Sequence, residues 1–267
     1  FYDNGGPHKS VNFLTAHDGF TMMDLVSYGS KQNEILLWPF GPSDGGSSDN
    51  ISWDCGGVHS LRRQQLRNLW TILFFSRGVP MTVWGDEFGR TQNGNNNPYN
   101  IDSLCTWSNY NMINTDSPTA VADVDGTYHD NFGTDTNNDA QNTLFKFVKF
   151  LTGVRADHSS LRAENYNVGY SFKKVDGVTD PTYDDNCIWV RIDGSSAGDC
   201  DFLIFINSYS SDVDFTIPAP DTSKAWRRII DTASWAETSN DGFWESGYYD
   251  ETSATTYGVK AYSTVVL

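Results

Sequence analysis

Hydrophobic positions recur with a helical period in the first part of the chain. Residues 61–78, LRRQQLRNLWTILFFSRG, predict an amphipathic helix. Its apolar stripe consists of Leu66, Leu69, Trp70 and Leu73. Arg67 lies outside this stripe, so we expect it to face water. Residues 143–158, TLFKFVKFLTGVRADH, repeat the same period and predict a second long helix.

Beyond residue 160 the period changes to two. The alternating positions that predict strands are Val168/Tyr170/Phe172, Ile188/Val190/Ile192, Phe202/Ile204/Ile206, Val213/Phe215/Ile217 and Ser263/Val265/Leu267. Gly- and Pro-containing turn signals separate them, with no helical pattern in between. The pattern therefore predicts an antiparallel β-sandwich over residues 161–267, preceded by an α/β part over residues 1–160.

Two short apolar runs lie in the α/β part. VNFLTAHDGF (11–20) and VPMTVWG (79–85) read as buried strands. The predicted helix runs directly into the second strand, as in a βαβ unit, which indicates a parallel sheet. His17-Asp18 ends the first run and Asp86-Glu87 follows the second. Because active sites of α/β barrels form at the carboxyl ends of the strands, these four residues are candidates for chemistry.

Long polar loops follow both runs. Residues 38–57 carry Trp53 among glycine, serine and aspartate, and the loop after residue 85 contains Asn95 and Asn96. One interpretation is a set of aromatic and amide groups that bind a hydroxyl-rich ligand. The other is turn chemistry and solvation, because asparagine tolerates left-handed backbone. The pattern leaves both interpretations open.

Charge and composition argue against some classes of binding partner. The formal net charge is −16 and the sequence pI is about 4.4, which argues against nucleic acid and anionic membranes as partners. We find no apolar run of membrane-spanning length. Aromatic residues make up 14% of the chain, a density that suits stacking on sugars as well as ordinary core packing. The acidic, lysine-poor composition favours a secreted or periplasmic protein.

The four cysteines leave their pairing open. Cys187 and Cys200 flank a predicted hairpin and are plausible partners, while Cys55 and Cys105 both lie in long loops. Free thiols at these positions are an equally simple interpretation. Neither a CxxC pair nor two histidines at helical spacing occur, so the sequence predicts no metal site and no cofactor in this chain.

Carboxylates at adjacent strand ends, with aromatics and amides nearby, suit a neutral, hydroxyl-rich substrate. Glycoside hydrolysis requires a general acid and a second carboxylate around an oxocarbenium-like transition state. An ionised aspartate beside the reacting carbon stabilises that developing positive charge. A neighbouring histidine can donate to sugar hydroxyls.

Three segments resemble one family. VNFLTAHDGFTMMDLVSYGSKQN, PFGPSDGGSSDNISWDCG and RGVPMTVWGDEFGRTQNGNNNPYN are similar to the seventh-strand, loop and eighth-strand regions of isoamylases, debranching members of the α-amylase superfamily. The resemblance implies the C-terminal part of a (β/α)8 TIM barrel, with strands 7 and 8, followed by a β-sandwich domain C. It also implies a substrate, namely a branched α-glucan such as glycogen, amylopectin or starch.

The resemblance also implies roles for individual residues. Asp18 matches the family's transition-state-stabilising carboxylate, and His17 matches its sugar-hydroxyl contact. Asp86 and Glu87 match the GDE motif, which braces the site. Trp53, Asn95 and Asn96 are expected to bind substrate as members of the adjoining loops.

The family's nucleophile and its acid/base residue have no counterpart here, and neither do its usual calcium ligands. We therefore expect the N-terminal part of the barrel to be absent, and to be supplied on the same chain or as a second chain. Alone, the 267 residues are expected to be inactive. Two alternatives remain: a non-catalytic glucan-binding homologue, and an α-1,4-acting relative of the same superfamily.

Overall fold

The computed structural model describes residues 5–38, 40–102, 106–108, 110–114, 142–221, 223–247 and 250–267. Cys105 lies outside these residues. The chain forms two compact units. The first comprises Phe1–Asn12, Trp70–Pro80 and Phe150–Leu267, and the second comprises Phe13–Leu69 and Met81–Lys149. The division at residue 160 into a barrel part and a domain C stays a prediction.

The two short apolar runs form a parallel pair, as the sequence predicts, but only over two residues each. Strand β1 (Val11–Asn12) pairs with β2 (Val79–Pro80), with Val11 opposite Val79. The expectation of fully buried strands is wrong for these residues, because Val11 is 49% and Val79 is 42% exposed. A two-stranded sheet leaves both of its edges without a neighbouring strand.

The two long helices lie close to their predicted positions, and a short helix precedes them. Helix α1 (Met22–Leu25) begins after Thr21, whose hydroxyl accepts a hydrogen bond from the Asp24 N–H at 3.1 Å, as an N-cap does. Helix α2 spans His59–Phe75 and helix α3 spans Thr143–Asp157.

The expectation that Arg67 faces water is wrong. The residue is 0% exposed in α2, and its guanidinium lies 5.6 Å from the centroid of the Phe147 ring. Its Nη2 donates to Thr143 Oγ1 at 3.2 Å, and its Nη1 donates to the Arg63 carbonyl at 3.3 Å. The helical stripe misses this residue because Thr143 and Phe147, which contact its guanidinium, come from another helix.

The β-rich part of the first unit contains every strand that the period of two predicts. These strands are β3 (Gly169–Lys173), β4 (Cys187–Asp193), β5 (Phe202–Asn207), β6 (Val213–Thr216) and β11 (Thr264–Val266). The sequence pattern misses four shorter strands and a helix: β7 (Trp226–Arg228), β8 (Ile230–Asp231), β9 (Asp250–Thr252), β10 (Thr256–Val259) and α4 (Ser234–Asn240).

Antiparallel pairing organises these strands into layers. The largest sheet has the order β3-β4-β5-β11-β8, and two further pairs join β6 with β10 and β7 with β9. One apolar core lies between them, contributed by alternate positions of the strands: Cys187, Trp189, Leu203, Phe205, Phe215, Ile217, Trp226, Val259, Val265 and Leu267. Helices and antiparallel sheets are thus confirmed, and the arrangement of the sheets as a sandwich stays a prediction.

Cys187 and Cys200 do not form the disulfide that their flanking positions make plausible. Both are free thiols, as is Cys55. Cys187 opens β4 and lies opposite Asn207, whereas Cys200 lies beside the turn at the other end of the hairpin. Six residues of strand separate the two ends by about 20 Å, which is too far for a bond.

Among the described residues, no helix combines the length and the apolar character that crossing a membrane requires.

Candidate active site

The His17-Asp18 dipeptide lies in an exposed turn of the second unit. The His17 Nε2 and Asp18 Oδ2 atoms are 3.6 Å apart, and their side chains are 92% and 78% exposed. Gly19 follows with φ of 98°, a conformation that glycine adopts at little cost. Its N–H donates to the Asn96 carbonyl at 3.0 Å, which ties the turn to the asparagine-rich loop.

Asp86 accepts hydrogen bonds from the residues on either side of the same turn. Its Oδ2 accepts from Thr15 Oγ1 at 2.6 Å, and its Oδ1 accepts from the Met22 N–H at 3.0 Å. The two donors flank the His17-Asp18 turn in sequence, so one carboxyl group holds both ends of it. Glu87 has a local role, because its Oε2 accepts from the Gly85 N–H at 2.7 Å.

Burial dominates the electrostatics of Asp86. The side chain is 1% exposed, and loss of hydration raises its pKa from 3.8 to about 7, against the opposing effects of the Thr15 and Met22 hydrogen bonds and of Arg90. The raised pKa favours the uncharged, protonated form of the carboxyl group, because burial of that form costs less hydration free energy than burial of the carboxylate.

Asp24 forms a second buried carboxyl site. It accepts hydrogen bonds from Thr91 Oγ1 and, at 2.9 Å, from the Gln92 N–H. Burial raises its pKa to about 6, and these hydrogen bonds act in the opposite direction. Asp24 therefore fixes the backbone that leads from the GDE motif to the asparagines.

An open cleft of about 510 Å³ lies beside the dipeptide. Side chains from both strand-end segments line it: His17, Asp18, Arg90, Gln92, Pro98, Tyr99, Asn100, Ile101, Asp102 and Thr106. The structure thus brings His17 and Asp18 together with residues that follow the second apolar run.

Arg90 and Gln92 are two of the cleft residues that the sequence interpretation missed. Arg90 is 5% exposed, and its Nη2 donates to Gln92 Oε1 at 2.9 Å. Gln92 in turn donates from Nε2 to the Asn95 carbonyl at 2.8 Å. Their position four to six residues after Asp86 is the sequence signal that would have found them.

Asn95 and Asn96 do not present their amides to the cleft, in contrast to the sequence prediction. Both are buried, at 0% and 2% exposure. Asn95 donates to the Phe40 carbonyl at 2.7 Å and accepts from Ser43 Oγ at 3.1 Å. Buried amides need internal partners, so these groups support the loop instead of facing a ligand.

The side-chain amide of Asn96 also has its hydrogen-bond partners inside the protein. Its Oδ1 accepts from Asn33 Nδ2 at 2.9 Å, and its Nδ2 donates to the Ser47 carbonyl at 2.9 Å and to Asn50 Oδ1 at 3.0 Å. Because its backbone carbonyl holds Gly19, Asn96 supports the position of Asp18 indirectly.

Trp53 is 41% exposed, and its N–H donates to the Leu25 carbonyl at 2.9 Å. It is not among the residues that line the cleft. An exposed indole face remains suitable for stacking on a sugar, and its role as a substrate contact stays a prediction.

Among the described residues, one group of side chains has donor atoms close enough to hold a metal ion. It consists of His158, Asp199 and Cys200, in the first unit. The sequence interpretation missed it because its histidine stands 41 positions from Asp199.

Comparison with known protein families gives one match. Residues 174–267 match the sequence model described as "Isoamylase, C-terminal".

Characterised relatives extend the similarity over most of the chain. An isoamylase from Flavobacterium sp is 38% identical over 255 residues, which cover 89% of this chain and 30% of that protein. An isoamylase from Pseudomonas amyloderamosa is 33% identical over 249 residues, covering 88% and 28%. A glycogen operon protein GlgX homolog from Mycobacterium tuberculosis is 31% identical over 261 residues, covering 85% and 32%. The chain thus spans about a third of these relatives.

Solved structures share the fold. A type I pullulanase from Bacillus subtilis, complexed with maltose, has a TM-score of 0.57 at 18% identity, covering 98% of this chain and 28% of that one. The apo pullulanase of Klebsiella pneumoniae has a TM-score of 0.55 at 13% identity, covering 98% and 26%.

Proposed function

Because the chain belongs to the isoamylase family and matches a C-terminal portion of its relatives, we propose that it is part of a debranching glycoside hydrolase. Its reaction is the hydrolysis of α-1,6-glucosidic branch linkages in glycogen, amylopectin or related glucans. The observation that supports this most is the cleft in which His17 and Asp18 meet residues that follow the GDE motif.

Asp18 is the transition-state stabiliser in this proposal. A retaining glycosidase passes through an oxocarbenium-like transition state, and an ionised carboxylate beside the anomeric carbon stabilises its positive charge. His17 then donates to a sugar hydroxyl at the cleaved linkage. Asp86 and Glu87 hold the turn and its surroundings, while Trp53 contacts the glucan outside the cleft.

The remaining catalytic groups come from outside these 267 residues. We propose that the nucleophile and the acid/base residue belong to the rest of a (β/α)8 barrel, of which β1 and β2 are the seventh and eighth strands. The exposure of Val11 and Val79 supports this, since further strands would cover them. Any calcium would be bound by that other part.

Export is a further part of the proposal, and it rests on the acidic, lysine-poor composition alone. Cell fractionation of the native producer checks it. Recovery of the protein with cytoplasmic markers would overturn export and leave the debranching proposal intact.

The test of the chemical assignment is Asp18→Asn in the complete enzyme. We expect kcat on a branched glucan to fall by about 10²–10³-fold, the range for loss of one electrostatic stabiliser. KM and the thermal midpoint should change little, because the side chain is 78% exposed. Steady-state kinetics and thermal unfolding measure these quantities.

Asp180→Asn is the matched control, since that carboxylate is 84% exposed and lies in the loop between β3 and β4. It should retain wild-type turnover. Near-normal kcat in Asp18→Asn would remove Asp18 from its role.

The same assay separates the alternatives. Release of linear chains from a branched glucan, with no cleavage of a linear one, supports debranching. Cleavage of the linear glucan would indicate an α-1,4-acting relative, and glucan binding without turnover in the complete protein would indicate a non-catalytic homologue. The 267 residues assayed alone should show no turnover.

A further inference from the structure

Three side chains of different chemistry meet in the first unit, far along the chain from Asp18. His158 directly follows α3, and Asp199 and Cys200 end the turn before β5. One donor atom from each lies within 4.8 Å of the other two. His158 Nδ1 is 2.8 Å from Asp199 Oδ1 and 3.5 Å from Cys200 Sγ.

Neighbouring groups hold this cluster in place. Asp199 Oδ2 accepts from the Ser160 N–H at 3.0 Å and from Ser160 Oγ at 2.8 Å. The Phe202 ring lies edge-on to the His158 ring, with centroids 4.9 Å apart and an angle of 84°. Such support is what orients the ligands of protein metal sites.

The turn that carries Asp199 and Cys200 is fixed by its own hydrogen bonds. The Asp199 N–H donates to the Gly194 carbonyl at 3.0 Å, and the Gly194 N–H donates to Asp201 Oδ1 at 3.0 Å. A side chain at Gly194 would collide with the Cys200 carbonyl. The backbone therefore presents the carboxylate and the thiol without much freedom.

The arrangement is unsuited to nucleophilic catalysis by the thiol. In such a system the base uses one ring nitrogen for the nucleophile and the other for the orienting carboxylate. Here Asp199 Oδ1 and Cys200 Sγ both approach Nδ1 of His158. Because both atoms approach the same ring nitrogen, the three atoms surround a shared centre.

We propose that His158 Nδ1, Asp199 Oδ1 and Cys200 Sγ bind a divalent cation of the zinc class. Tetrahedral Zn²⁺ has Zn–N and Zn–O distances of about 2.0–2.2 Å and a Zn–S distance of about 2.3 Å. Those lengths place nitrogen and sulfur roughly 3.5 Å apart, and nitrogen and oxygen roughly 3.4 Å apart. The observed Sγ–Nδ1 separation of 3.5 Å already fits, and the His158–Asp199 pair needs to open by about half an ångström.

The mixed donor set selects the metal. Thiolate and imidazole favour Zn²⁺ or Co²⁺ over Mg²⁺ and Ca²⁺, which prefer oxygen ligands. Binding displaces the thiol proton to solvent.

Two of the three proposed ligand residues line a cavity. A cavity of about 400 Å³ is lined by His158 and Cys200 together with Phe150, Phe202 and Trp226. Three protein ligands with an open fourth position are typical of sites where a metal binds water or a small ligand. The cation would therefore be accessible to solvent.

The test is titration of the purified complete protein, without a polyhistidine tag, with Co²⁺ alone. We expect one thiolate-to-cobalt charge-transfer band that saturates at one equivalent per chain, and its loss when Zn²⁺ is added. Cys200→Ser should abolish the band, and His158→Gln should weaken binding by at least about 10-fold, because each removes a ligand.

Cys187→Ser and Cys55→Ser are the matched controls, since both remove a free thiol that lies outside the cluster. Each should keep the band. Circular dichroism of all four variants separates loss of a ligand from loss of fold. Absence of a charge-transfer band in the wild type, or its persistence in folded Cys200→Ser, would overturn the proposal.

Discussion

The two units of the chain are stabilised in different ways. The β-rich part buries aromatic and aliphatic side chains around Phe205 and Phe215, whose rings stack with centroids 5.1 Å apart. The part that carries the cleft buries apolar side chains such as Phe40 and Phe88 and, in addition, a large set of polar groups. These include Thr15, Asp24, Asn33, Arg67, Asp86, Arg90, Gln92, Asn95 and Asn96.

The difference teaches how each part holds its shape. Apolar packing is non-directional and scales with the area removed from water. Hydrogen-bonded networks are directional, and an unmade bond in them costs most of the desolvation penalty of the buried group. A sheet core therefore loses stability in proportion to the apolar packing that a substitution removes, whereas the polar loops position one turn in one conformation.

Truncation of the apolar core should have the largest effect on stability. Phe205 is 0% exposed, so Phe205→Ala should lower the free energy of unfolding by about 3–5 kcal/mol. Phe172→Ala is the matched control in the same sheet, because Phe172 is 51% exposed, and it should cost about 0.5 kcal/mol or less. Denaturant unfolding measures both, and equal losses would break the contrast between core and surface.

The buried carboxyl group of Asp86 should make the polar part sensitive to pH. Its pKa rises from 3.8 to about 7 on folding, so the folded protein holds a proton that the unfolded chain releases. Its stabilising contribution is complete below about pH 4 and is lost as the pH rises to about 7, by ~1.4 kcal/mol per pKa unit. Asp86→Asn should remove this dependence of the free energy of unfolding on pH.

Asp176→Asn is the control of opposite sign. Hydrogen bonds from Thr179 and Val178 lower the pKa of Asp176 to about 2, so its contribution is present above pH 3.8 and lost only in more acidic solution. Urea unfolding between pH 4 and pH 7 compares the variants with wild type. If the free energy of unfolding of Asp86→Asn falls between pH 4 and pH 7 as much as that of the wild type, Asp86 is not the group that titrates in this range.

The smallest expected effect concerns the asparagine-rich loop. Asn96→Ala leaves the partners of a buried amide unsatisfied and should lower the free energy of unfolding by about 1–3 kcal/mol. Asn97→Ala, which loses one hydrogen bond to the Asp44 carbonyl, should cost about 1 kcal/mol or less. A higher KM in Asn96→Ala with unchanged stability would restore Asn96 as a sugar contact.

Periodicity and local chemistry were enough for much of the fold. The period of two predicted β3, β4, β5, β6 and β11, and the period of 3.6 predicted α2 and α3. The strands β7 to β10 escaped prediction, since residues 226–259 show no sustained alternation of apolar and polar positions.

Some features of the candidate site were likewise predictable from the sequence, and others were not. The sequence by itself determined that His17-Asp18 and Asp86-Glu87 follow two strands that pair in parallel, because strand ends and motifs are local features. Only the tertiary structure decided that Asp86 clamps the turn, that Asn95 and Asn96 are buried, and that Arg90 and Gln92 reach the cleft. Those outcomes depend on partners up to 71 positions away, and hydrogen bonds across such separations have no local pattern.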